Sequence, residues 1–111
     1  MKSLVGLLPM LLLLWLPGQA QEETTRSVTG TVTDKRGNAL PGAAVQLENT
    51  VNLSIVSYLT EKDGSYHFNN LQSGIDYTLK AKYHRSWSSR KTLSKFNSSK
   101  HPQVVLVIPI E

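Results

Sequence analysis

Between Ile75 and Tyr83 every second residue is apolar: Ile75, Tyr77, Leu79, Ala81 and Tyr83 alternate with Asp76, Thr78, Lys80 and Lys82. A strand sends successive side chains to opposite faces, so this stripe makes a half-buried β-strand and cannot line one face of a helix. The same period recurs upstream. Val28, Gly30 and Val32 alternate with Thr29, Thr31 and Thr33, and β-branched threonine suits the open side of a pleated sheet. Ala43, Val45 and Leu47 form a second stripe, and Tyr66 and Phe68 a further one against Ser65, His67 and Asn69. Residues 53–60 read as a strand whose inward face is undecided, because Ile55 and Leu59 compete with Val56 and Tyr58. Residues 91–96 read as a short strand with Leu93 and Phe96 in the core. Residues 104–110 are almost continuously apolar, which predicts a central strand buried on both faces, limited at its far end by Pro109.

Turn residues separate these stretches. Gly37 in Asp34-Lys35-Arg36-Gly37-Asn38 can take positive φ, and Leu40-Pro41-Gly42 leads into the second strand. Lys62-Asp63-Gly64-Ser65 is the strongest hairpin signal. Residues 70–74, ending at Gly74, form a connection in which Leu71 plugs the end of the core. Residues 85–89 read as a polar loop carrying Trp87. Seven strands at regular spacing, with no helical period beyond residue 26, predict an all-β sandwich or small barrel.

The first 20 residues have a different character. Lys2 precedes an apolar run from Leu4 to Leu16, Pro17-Gly18 breaks it, and Gly18 and Ala20 are small residues placed for cleavage after Ala20. This is the layout of a secretory signal peptide. Its run is shorter than the roughly 20 residues that span a bilayer. The expected organisation is a helical signal over 1–20, a disordered lead-in over 21–25 and one domain over 26–111. The product is then periplasmic or secreted, with no stable membrane span.

The chain has no cysteine, which excludes disulfides, thiolate metal sites and cysteine nucleophiles. An exported small domain without disulfides has a bacterial character. The net charge is +4, and the excess is local. Lys80, Lys82, Arg85, Arg90, Lys91, Lys95 and Lys100 face only Asp76 in their segment. A solvated, solubilising face explains this better than an anion-binding patch does. Nucleic acid is not an expected partner of an exported protein.

Two separated blocks carry a resemblance. Val28-Thr29-Gly30-Thr31-Val32-Thr33-Asp34, Gly37 and Leu40-Pro41-Gly42-Ala43 come first, and Thr60-Glu61-Lys62-Asp63-Gly64-Ser65-Tyr66 with Phe68, Leu71 and Gly74 follows. In this order they resemble the carboxypeptidase regulatory-like domains, and the tail around residues 92–96 is similar to small stand-alone bacterial members. The resemblance implies a seven-stranded Greek-key sandwich of the transthyretin or prealbumin kind, within a carbohydrate-binding-like group. The matching residues, Gly30, Gly37, Pro41, Gly42, Asp63, Gly64 and Gly74, shape turns and close approaches, so the match speaks of fold more than function. Ser73-Gly74 stands where the family usually has Pro-Gly.

No catalytic signature accompanies the fold. His67, His84 and His101 lack metal-ligand spacing, and no His-x-x-Glu or Gly-x-Ser-x-Gly occurs. The related hydroxyisourate hydrolases carry a terminal Tyr-Arg-Gly-Ser, whereas this chain ends Val107-Ile108-Pro109-Ile110-Glu111. Related pilin domains crosslink first and last strands through Lys and Asn. Residues 27–33 hold no Lys and residues 104–110 no Asn. Glu61-x-Asp63-Gly64 is too short for a calcium loop. No catalytic residue, metal or cofactor is expected.

The expectation is an exported, non-enzymatic interaction module of the cell envelope, its partner an envelope protein or a polysaccharide. Two alternatives stand beside it. One is a carbohydrate-binding protein using Trp87 with Tyr83 and Tyr58 as an aromatic platform. The other is an exported enzyme with an unrecognised site.

Overall fold

The computed structural model describes residues 25–111; the expected signal peptide and residues 21–24 lie outside them. Eight strands form two sheets. They are β1 (Thr25–Thr33), β2 (Ala44–Asn49), β3 (Ile55–Leu59), β4 (Ser65–Gln72), β5 (Tyr77–Tyr83), β6 (Ser86–Trp87), β7 (Lys91–Leu93) and β8 (Gln103–Val107). One sheet has the order β4-β1-β8. The other runs β3-β2-β5-β6, with β7 also on β5. β6 pairs with Lys82–Tyr83 of β5 and β7 with Tyr77–Leu79, so they are two pieces of one broken edge. This raises the expected seven strands to eight and puts Ser86 and Trp87 in a strand rather than a loop. β1 begins at Thr25, one residue inside the expected lead-in.

The alternating stripes meet between the sheets. Val28, Val32, Tyr66, Phe68 and Leu106 from one sheet bury against Val45, Leu47, Tyr77, Leu79, Ala81 and Leu93 from the other. Leu71 is buried at the core's end. Burial on this scale, at about 25 cal/mol per Å² of apolar surface, is what holds so small a domain together. The undecided strand resolves by register: Tyr58 opposite Val45 faces inward, while Ile55 and Leu59 lie on the outer side.

Two core expectations fail. Residues 104–110 do not form a central strand. β8 pairs only with β1, in parallel, and is an edge. Leu106 and Ile108 are buried, but Val105 and Val107 are exposed. A continuous apolar run reads the same whether or not its second face is covered. Phe96 is 85% exposed. The strand stops at Leu93, and Asn97 N donates to Ser94 O in a turn that carries Phe96 outward.

Arg26 ties the second half of the chain to the first. Its guanidinium is buried and donates to the carbonyls of Ser94 at 3.0 Å, Asn97 at 3.3 Å and Ile75 at 3.1 Å. It sits beside a bulge in which Asn69 and Asn70 oppose Ser27 alone, Asn70 taking φ 61°.

Candidate functional site

The outer face of the five-stranded sheet carries the most distinctive chemistry. Trp87 lies directly opposite Lys82, and Ala44 and then Leu59 complete that row. In the adjacent row Lys80 stands opposite Gln46, which stands opposite Ser57. The Lys80 ammonium lies 4.5 Å from the Trp87 ring centroid and the Lys82 ammonium 5.4 Å. The indole is 39% exposed, so its quadrupole holds two cations at the surface without burying them. Each ammonium keeps N–H donors free for another acceptor.

The charge around this ring is uncompensated. Among the described residues the one ion pair is Arg36 with Glu111, at 3.8 Å. Lys80, Lys82, Arg85, Arg90 and Lys91 therefore have no carboxylate within bonding reach. Asp76, the acid of this segment, accepts from Lys95 N at 2.6 Å and is used in fixing the turn.

The expected aromatic platform is not assembled. Trp87 is on the outer face, whereas Tyr83 continues the inward stripe and sets its ring 4.3 Å from that of His84. Tyr58 also points inward, edge-on to Phe68 at 6.0 Å. Its hydroxyl donates to the Glu61 carboxylate, which raises the Tyr58 pKa above the usual phenol value. Of the three rings only Trp87 presents itself on the basic face.

The turn residues take distinct places. Gly37, Gly42 and Gly64 have positive φ, while Gly74 does not. A side chain at Gly64 would also meet the Val32 carbonyl at 2.9 Å. Pro41 is exposed at the turn before β2. Asp63 is held below the usual carboxylate range first by the Ser65 hydroxyl and then by Ser65 N, which donates to it at 3.0 Å.

Two surface features were not legible in the sequence. Ser27 Oγ and His101 Nδ1 are 2.8 Å apart, brought together by the parallel pairing of β1 with β8. Ser27 is half-buried and His101 exposed, and among the described residues no carboxylate orients the ring's other nitrogen. The second is a shallow trough of about 370 Å³ on the outer face of the three-stranded sheet, lined by Thr29, Thr31, Ser65, His67, Gln103 and Val105. It offers hydroxyl, amide and imidazole groups and no charge. Among the described residues no three His, Cys, Asp or Glu side chains gather as metal ligands, and no helix is long and apolar enough to cross a membrane.

Comparison with known proteins fits this architecture. The model of the carboxypeptidase regulatory-like domain matches residues 27–106. No curated protein matches the chain. Among solved structures, BcpA, the major pilin subunit of Bacillus cereus, is similar with a TM-score of 0.60 at 15% identity, over 78% of this chain and 30% of that one. A DUF3823 family protein from Parabacteroides merdae gives 0.57 at 20% identity, over 79% and 47%. The dioxygenase domain of a dioxygenase carbohydrate-binding protein fusion from Streptomyces gives 0.57 at 14%, over 81% and 82%. The chain thus spans less than half of the first two proteins, and at these identities the likeness is one of fold. With the family model covering both glycine-marked blocks and all but the last residue of β8, the chain belongs to the carboxypeptidase regulatory-like domain family.

Proposed function

We propose that this protein is an exported, non-enzymatic interaction module of the cell envelope, holding an acidic partner, protein or polysaccharide, against the outer face of β5 and β6. The observation that carries the reading is the half-exposed Trp87 ring with the ammonium groups of Lys80 and Lys82 over it. An anionic group seated between the two lysines would use their free donors while the indole keeps both cations in place. Family membership supports a role in contact rather than catalysis. The Lys2, Leu4–Leu16 and Ala20 pattern supports export with cleavage after Ala20, to the periplasm or outside the cell.

Trp87 is the only tryptophan from Gln21 onward, so its fluorescence reports on this face alone. Titration with a polyuronate should shift its emission, and added salt should weaken the binding. Lys80→Glu with Lys82→Glu should abolish the response. Absence of any shift with acidic polysaccharides and with acidic envelope proteins would overturn the proposal.

A second reading, stacking of a neutral sugar on the indole, is favoured by the ring's exposure. Binding to neutral glycans that is lost in Trp87→Ala and kept in the double charge reversal would select it.

A further inference from the structure

Among the described residues each sheet leaves two edges, and three of the four are blunted. β4 is bent by the bulge at Asn69–Asn70. β8 is bracketed by Pro102 and Pro109. The β6–β7 edge is broken in the middle and flanked by Arg85, Arg90 and Lys91. Bulges, prolines, interruptions and charges are the devices that keep strand edges from pairing with other chains.

β3 has none of them. Ile55-Val56-Ser57-Tyr58-Leu59 contains no charge, proline or glycine, and its ladder with β2 runs without a register shift. Ile55 and Val56 are each 54% exposed and Leu59 67%. Thr60 N donates to Ala43 O, and Asn49 N to Ser54 O. Even-numbered residues here therefore turn their backbone groups toward β2. By alternation Ile55, Ser57 and Leu59 aim their N–H and C=O outward.

We propose that β3 is a self-association edge, pairing antiparallel with β3 of a second copy about a two-fold axis through Ser57. The sequence is self-complementary in this register. Ser57 meets Ser57 of the second copy, exchanging both backbone hydrogen bonds. Ile55 meets Leu59 on the outer face, again as a hydrogen-bonded pair, and Val56 meets Tyr58 on the inner face. The outward backbone groups are all satisfied and each exposed apolar side chain gains an apolar or aromatic cross-strand neighbour. No like charges oppose each other. A two-fold pairing of this kind closes at the dimer.

The consequence reaches the basic face. A two-fold axis normal to the sheet keeps both outer faces on one side of a continuous sheet. The two Trp87 rings then stand about 36 Å apart, seven strand spacings across and four residues along. A repetitive acidic polymer would engage both at once, gaining avidity without a new contact.

The test uses the chain from Gln21, since the buried core of the described residues lies between Val28 and Ile108. Sedimentation equilibrium from micromolar to millimolar concentration should show the mass rising from one chain to two. Ser57→Lys puts two ammonium groups face to face at the axis and should hold the protein at one chain, as should Ser57→Glu. Mixing the two variants should restore the two-chain mass, which a misfolded variant could not do. A wild-type chain that stays monomeric at millimolar concentration overturns the proposal. So does a dimer indifferent to Ser57→Lys, or an edge that takes only an unrelated extended peptide.

Discussion

The Tyr66 hydroxyl donates to the Val104 carbonyl at 2.7 Å, across the bare α-carbon of Gly30. A side chain at Gly30 would lie 1.8 Å from that carbonyl and 2.6 Å from the hydroxyl. Neither can retreat, since one is ladder backbone and the other belongs to a buried ring. Gly30→Ala should cost about 3 kcal/mol or more, and lower the melting temperature by more than about 10 °C. Tyr66→Phe should cost about 1 kcal/mol, the worth of one hydrogen bond. Burial pushes the Tyr66 pKa far up, so a spectrophotometric alkaline titration should show this phenol ionising only on unfolding.

Thr60 closes the turn before β2. Its buried hydroxyl accepts from Ala43 N at 2.8 Å and donates to Leu40 O at 2.6 Å. Thr60→Val keeps the shape and strands both groups. The expected loss is about 1–3 kcal/mol in urea unfolding, with Thr60→Ser recovering most of it.

Arg26 is the counterpart at the other end of the sandwich. A lysine there cannot reach three carbonyls with one ammonium. Arg26→Lys should cost about 2 kcal/mol, the weight of lost charge-assisted bonds. The loss should be local first: hydrogen exchange at Asn97, whose N–H bonds Ser94 O, should quicken before that of β2 and β5.

Acid should act through Asp34. Its carboxylate accepts from Asn38 N and Arg36 N, each at 2.9 Å, and from Asn38 Nδ2 at 3.1 Å, led by the Asn38 backbone bond in holding its pKa below 3.8. The unfolded chain then takes up the proton first. The contribution is whole above about pH 4 and is lost as pH falls through the lower, folded value. Melting temperature followed from pH 7 down to pH 2 should drop along this limb, and Asp34→Asn should flatten it in part, with Asp63 supplying the remainder.

The sequence was informative where one face of a strand meets the core and the other meets water. The stripes at Val28, Val45, Tyr66 and Tyr77 are each found buried as their spacing predicts. Val104 to Ile110 misled because apolar composition cannot distinguish a strand covered twice from one whose second face stays open. Phe96 misled because Leu93 and Phe96 fall three apart, a spacing that no strand keeps on one side. The site was less legible still. Trp87 could be singled out, but its lysine neighbours come from a strand pairing, and the contacts of Arg26 and Ser27 cross some 50 to 75 positions of chain. Local periodicity carries no information about such encounters.

β1 and β8 run side by side in the same direction, from Thr29 with Gln103 to Thr33 with Val107. Pulling the start of β1 against the finish of β8 drags these strands lengthwise past each other. The rungs between them must then rupture together, because a lengthwise drag gives no end from which to peel them singly. The domain is thereby built to resist tension along that line.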